Sequence, residues 1–152
     1  MISARFAETL DPALSDAEAI RLERRASGAA QADRTVLVEA GGRRLRFDIF
    51  VVDPEAFSFE DVRVWQRLLV IGYGSTVYCV ELGTRETQLH ELDSYFGSFH
   101  VGDGHCLIAS GCEILRLGRN GSKIWQSHVV GADGVIFGGV DGDRISGEGQ
   151  WD

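Results

Sequence analysis

The chain is short of the residues that would place it in several large classes. It has two prolines and three cysteines in 152 residues. An odd set of cysteines (Cys79, Cys106, Cys112) cannot form a fully paired disulfide framework. Each lies in or beside an apolar run, where a free thiol behaves as a small hydrophobe, so a reducing compartment is expected. No apolar run approaches the length needed to span a bilayer. The first residues, MISARFAETLDPAL, lack the apolar centre of a signal peptide, and the expectation is a cytoplasmic protein with no membrane partner. No Lys/Arg stripe offsets the formal net charge of −8, which argues against a nucleic-acid partner. There is no GxSxG elbow and no CxxC pair, and Gly72-Tyr73-Gly74 is followed by a strand pattern rather than the helix a phosphate loop needs.

What is abundant is glycine, 19 residues, placed between short apolar runs. That arrangement is the mark of a mainly β chain. The length suits a single domain over 1–152. Within it the pattern divides into an N-terminal helix and connector (1–34), a hairpin (35–53), a first meander (65–105), a second meander (106–134) and a terminal hairpin (135–150).

Ser15 and Glu18 read as a capping box opening a helix over 15–27, with Asp16 near its start, Arg24 and Arg25 in its last turn and Gly28 as its stop. Its apolar stripe is thin, Ala17 and Ile20. Gly41-Gly42 is a two-residue hairpin signal between Thr35–Ala40 and Arg43–Val52. In the second of these strands Leu45, Phe47, Ile49 and Val51 alternate with Arg44, Arg46 and Asp48, and Asp53-Pro54 ends it. Phe57 and Phe59 are expected to plug the sheet.

Leu68–Ile71 is apolar at every position and reads as an inner strand. Val77–Leu82 follows, and Glu86–Leu92 alternates as an edge-like strand with Gln88 and His90 outward. A second copy is visible. Leu69-Val70-Ile71 matches Leu107-Ile108-Ala109 at a spacing of 38, and Val80-Glu81-Leu82-Gly83 matches Leu115-Arg116-Leu117-Gly118 at a spacing of 35. Asn120-Gly121 supplies its next turn and Trp125 a bulky third strand. Across residues 65–150 this phrase resembles the blade of a propeller with WD40-like or quinoprotein-like repeats. The Trp-Asp and Gly-His signatures are absent at blade positions, and about two and a half blades fall short of a closed ring. The resemblance therefore implies antiparallel meanders forming a twisted sheet or a two-sheet sandwich, and no ligand or cofactor is carried over.

His100, His105, Cys106 and Cys112 are formally enough for a tetrahedral zinc site, but His105 and Cys106 are adjacent and point to opposite faces of a strand. They are the weak metal candidates, and no cofactor is expected. Cys112 with His128 is a conceivable nucleophile and base. Asp141-Gly142-Asp143 with Glu148 reads more simply as a turn than as a calcium loop. Arg43, Arg44 and Arg46 form a small basic hairpin. The better lead is aromatic: Tyr95, Phe96, Phe99 and His100, between the two copies, together with Trp125, are the candidate binding residues. The expectation is a non-catalytic protein-interaction module, immunity- or inhibitor-like, that binds a protein, a basic one by charge, or a second copy of itself through loops and open sheet edges. The alternative is a small enzyme or metal-dependent factor using the His/Cys cluster at 100–128.

Overall fold

The computed structural model describes residues 1–23, 31–51, 59–142 and 144–151. The expected mainly β character is present, with fourteen strands and one 3-10 turn among these residues. The first sheet holds β1 (Ile2–Ala7), β2 (Glu18–Glu23), β3 (Arg34–Ala40) and β4 (Arg43–Phe50), in the order β1-β3-β4-β2. β3 and β4 form the expected hairpin, in register from Arg34↔Ile49 to Ala40↔Arg43. Its turn residues, Gly41 and Gly42, have φ of 56° and 78°, which a side chain would resist.

The N-terminal helix is not formed. Pro12–Leu14 makes a 3-10 turn capped by the Asp11 carboxylate, and Glu18–Glu23 is a strand running parallel to β4. A helix cap contributes about 1 kcal/mol. The strand instead buries Leu22, 2 % exposed, and packs Ile20 on the core, each apolar side chain being worth roughly 1.5–3 kcal/mol when fully buried. Tertiary pairing outweighs the local signal. Residues 24–27 and Gly28 lie outside the described residues, as do Pro54, Phe57 and Asp143. Phe59 is not a core plug, since it is 61 % exposed, its ring tilted against that of Tyr95 with centroids 6.0 Å apart.

The second sheet is a four-stranded antiparallel meander, β5 (Glu60–Trp65), β6 (Leu68–Tyr73), β7 (Thr76–Glu81) and β8 (Thr87–Glu91). The third repeats that order with β9 (Phe96–Gly102), β10 (His105–Ser110), β11 (Ile114–Leu117) and β12 (Lys123–Gln126). β13 (Val135–Asp141) and β14 (Arg144–Gly149) form the terminal hairpin. Each meander thus carries a leading strand, β5 or β9, ahead of the three expected. The layout is neither one twisted sheet nor a two-sheet sandwich. Among the described residues no sheet closes on itself, and propeller blades are not established.

The layers share their cores through the second sheet. Leu69 and Ile71 of β6, with Tyr78 and Val80 of β7, pack on Val36, Val38, Phe47 and Ile49 of the first sheet. The intervening residues Leu68, Val70, Val77 and Cys79 pack on Phe96, Cys106, Ile108, Leu115 and Leu117 of the third. That is why Leu68–Ile71 reads as apolar at every position: neither face meets water. β8 is an edge strand, and its polar set is outward only from its own sheet. Gln88 Nε2 donates to the Asn120 carbonyl at 2.8 Å, and His90 Nε2 lies 2.6 Å from the Gly121 carbonyl, so both hold the turn between β11 and β12. Trp65 adds another link, its indole N–H donating to the Gly102 carbonyl at 2.9 Å.

The fit between layers uses missing side chains. A Cβ on Gly72 would fall 2.6 Å from Cγ of Phe96, a ring that is 0 % exposed.

Candidate functional site

The candidate residues separate onto the two faces of β9, where a bulge between Phe96 and Ser98 breaks the simple alternation and brings Phe96 and Phe99 to the same side. Phe96 and Phe99 turn inward, with ring centroids 4.7 Å apart, and both belong to the core between the second and third sheets. Phe96 is fully buried and is therefore a filler, not a contact for a partner. Tyr95 sits just before β9, half-buried, and its hydroxyl donates to Asp133 at 3.4 Å, pinning the loop that leads to the terminal hairpin. Burial and the Asp133 carboxylate push its phenol upward from its usual range.

His100 turns outward. Register places it beside Leu107, Leu107 beside Arg116, and Arg116 beside Trp125. Directly paired residues share a face, so these four form a row across the third sheet, about 14 Å long at the usual strand spacing. Leu107 is the floor, 1 % exposed, while His100, Arg116 and Trp125 are half-buried. Phe137 of β13 leans on His100 with centroids 5.6 Å apart.

His105, on the same face of β10, stacks on His100 with centroids 5.3 Å apart and planes 6° from parallel. Its ring lies on Gly102, where a Cβ would fall 2.8 Å from Nε2. Burial, then His100, then Arg116 hold the His105 imidazole below its ordinary 6.5, with Asp103 opposing. Two nitrogens here are enclosed and have no hydrogen-bond partner, His105 Nε2 and Arg116 Nε.

The metal candidates do not converge. Cys106 faces the core, 0 % exposed, on the opposite side of β10 from His105, and burial pushes its thiol up to about 12. Cys112 lies in the β10–β11 turn, its thiol 3.8 Å from the Ala132 carbonyl, and is raised mainly by burial. Among the described residues no three His, Cys, Asp or Glu side chains come together as a metal group. His128 is exposed, and no hydrogen bond among the described residues joins it to Cys112. The turn at Ser110 is instead a structural knot. Its hydroxyl donates to Asp93 at 2.7 Å and accepts from the backbone N–H of Cys112 and Glu113 at 3.2 and 2.8 Å. Arg44 and Arg46 of the basic hairpin are spent on Glu39 and Asp48.

Arg116 was not among the sequence candidates. A signal for it existed: it occupies the place of Glu81 in the match between the two copies, and Glu81 is paired with Arg67.

No helix among the described residues is long and apolar enough to cross a membrane, which says nothing about β-barrels. No family model matches the chain, and no curated protein matches it.

Proposed function

We propose that the chain is a non-catalytic protein-interaction module whose protein partner docks on the outward face of the third sheet, beside the free edge of β12. The observation that carries this reading is the row from His100 through Arg116 to Trp125. It ends on an edge strand whose residues are mostly exposed. Arg and Trp are the side chains that dominate binding energy when a partner encloses them. An edge strand adds main-chain donors and acceptors to which a partner strand can pair. An immunity- or inhibitor-like role, in a cytoplasmic setting, fits a small acidic β protein of this kind.

The test begins with co-purification from a native lysate and identification of the retained protein. Its affinity is then measured for the wild type, Trp125→Ala and Arg43→Gln, the last on the remote β3–β4 hairpin. A hot-spot tryptophan is worth about 2 kcal/mol or more, so Trp125→Ala should weaken binding about thirtyfold while Arg43→Gln leaves it unchanged. Equal affinity for all three proteins would remove the third sheet as the docking face.

A further inference from the structure

We infer that Arg116, His105 and His100 form a seat for an oxyanion, a carboxylate or phosphate group carried by the docked protein. This rests on the docking reading above and adds the chemistry the partner must present.

The first support is a contrast among arginines. The other half-buried arginines of the described residues each face a carboxylate: Arg34 with Glu60, Arg46 with Asp48, and Arg85 with Glu18, although Arg85 Nη1 is itself enclosed without a hydrogen-bond partner. Arg116 is also half-buried and faces none among the described residues. A guanidinium is always charged and offers a planar fork of donors matched to an oxyanion. Enclosing one without an acceptor costs stability unless something completes it.

The second support is that the orphan is not alone. Arg116 Nε and His105 Nε2 are both enclosed without a partner, on diagonal positions of neighbouring strands. Two imidazoles stacked face to face beside a guanidinium place ring nitrogens next to a permanent cation on a chain of net charge −8. An oxyanion that enters between the two side chains accepts from Arg116 Nε and from His105 in its Nε2–H form, with the His100 ring stacked behind it. The acidic residue acting on His105 is Asp103, exposed in the β9–β10 turn and the weakest of the influences on that ring. Against the seat from the terminal hairpin stands Phe137, which is uncharged and closes one side against His100.

The third support is that the seat is built. The His105 ring rests where Gly102 has no side chain, and the Gly102 carbonyl is held by Trp65. The imidazole is thus positioned by backbone rather than left to swing.

The experiment uses the isotopically labelled full chain near pH 6.5, following the Arg116 Nε–H and the His100 and His105 ring resonances by NMR. Inorganic phosphate and glutarate, a model of an acidic side chain, are titrated separately against sodium chloride of matched ionic strength. The expected result is a saturable shift of all three groups, weakened at least about tenfold by Arg116→Gln and only partly by Arg116→Lys. Saturation by glutarate alone assigns an acidic side chain, and saturation by phosphate alone a phosphorylated one; either supports the seat. If neither saturates beyond chloride, or if Arg116→Gln titrates like the wild type, the seat does not exist. Should Arg116→Gln fail to fold, by its amide spectrum, His105→Gln replaces it, with the same loss expected and unchanged titration again overturning the inference. An absent seat alongside a partner still weakened by Trp125→Ala would leave the docking reading standing.

Discussion

Gly72→Ala puts one methyl group into the joint between the second and third sheets. The added Cβ lies 2.6 Å from Cγ of Phe96, well inside contact distance, and Phe96 is 0 % exposed with Phe99 packed 4.7 Å away, centroid to centroid. The ring has little room to retreat, and overpacking of this kind costs up to about 3 kcal/mol. Replacing glycine in an extended conformation returns about 0.4–1 kcal/mol by restricting the unfolded chain. The net expectation is a loss of about 2 kcal/mol, or roughly 4–8 °C in melting temperature for a chain of this size. Urea unfolding of the wild type, Gly72→Ala, Phe96→Leu and the double variant reads it out. Phe96→Leu alone should cost about 2 kcal/mol through the cavity it leaves. In the double variant the new methyl occupies part of that cavity, so the two losses should fall short of additivity by about 1 kcal/mol or more. Strict additivity, or a Gly72→Ala protein as stable as the wild type, would refute the argument that this glycine seats the Phe96 ring.

Three further outcomes are expected. Ser110→Ala removes a buried hydroxyl that serves two backbone N–H groups and Asp93, and should cost about 1–3 kcal/mol by chemical denaturation; a loss below about 0.5 kcal/mol would show that the turn does not depend on it. In a thiol-titration assay on the native protein only Cys112 should react readily, because Cys79 and Cys106 are 1 % and 0 % exposed and burial raises both thiols; rapid reaction of all three would contradict this packing. His105 stays neutral in the folded chain below its ordinary 6.5, so the unfolded chain takes up a proton first as pH falls. Stability should therefore decline from pH 7.5 as the pH passes through 6.5 toward the lowered folded value. His105→Gln should flatten that part of the urea-midpoint profile, and an unchanged slope would exclude His105 as its source.

Much of the sheet content was legible because turn chemistry and period agreed. Gly41-Gly42 between two strand-like runs, the second alternating, points to the β3–β4 hairpin, and the unbroken apolar run Leu68–Ile71 announces a strand buried on both sides. What misled was local chemistry that tertiary pairing overrode. Ser15 and Glu18 satisfy a cap at short range, but β4 offers Glu18–Glu23 a full ladder and a place for Leu22. The leading strand β5 was partly hidden because its residues alternate on a short run, Val62 and Trp65 being the ones most fully enclosed. In the candidate site, sequence brings forward His100 and Trp125 but groups them with Phe96 and Phe99; the pleat sends Phe99 to the other side, and a bulge that no residue type announces sends Phe96 there too. Arg116 is harder to see because a charged residue in a strand reads as solvated, and only its three-dimensional neighbours show that no carboxylate among the described residues faces it.

The double-sided burial of β6 and β7 bears on how this chain tolerates change. In β4, tolerance to substitution should rise and fall with every second residue, as Leu45, Phe47 and Ile49 alternate with partly exposed Arg46 and Asp48. Along Leu68–Ile71 and Val77–Val80 that rhythm should vanish, leaving a flat floor at which each position rejects a polar replacement. Sequence drift in this protein would then collect in the first sheet and at the far hairpin, with the middle layer changing least.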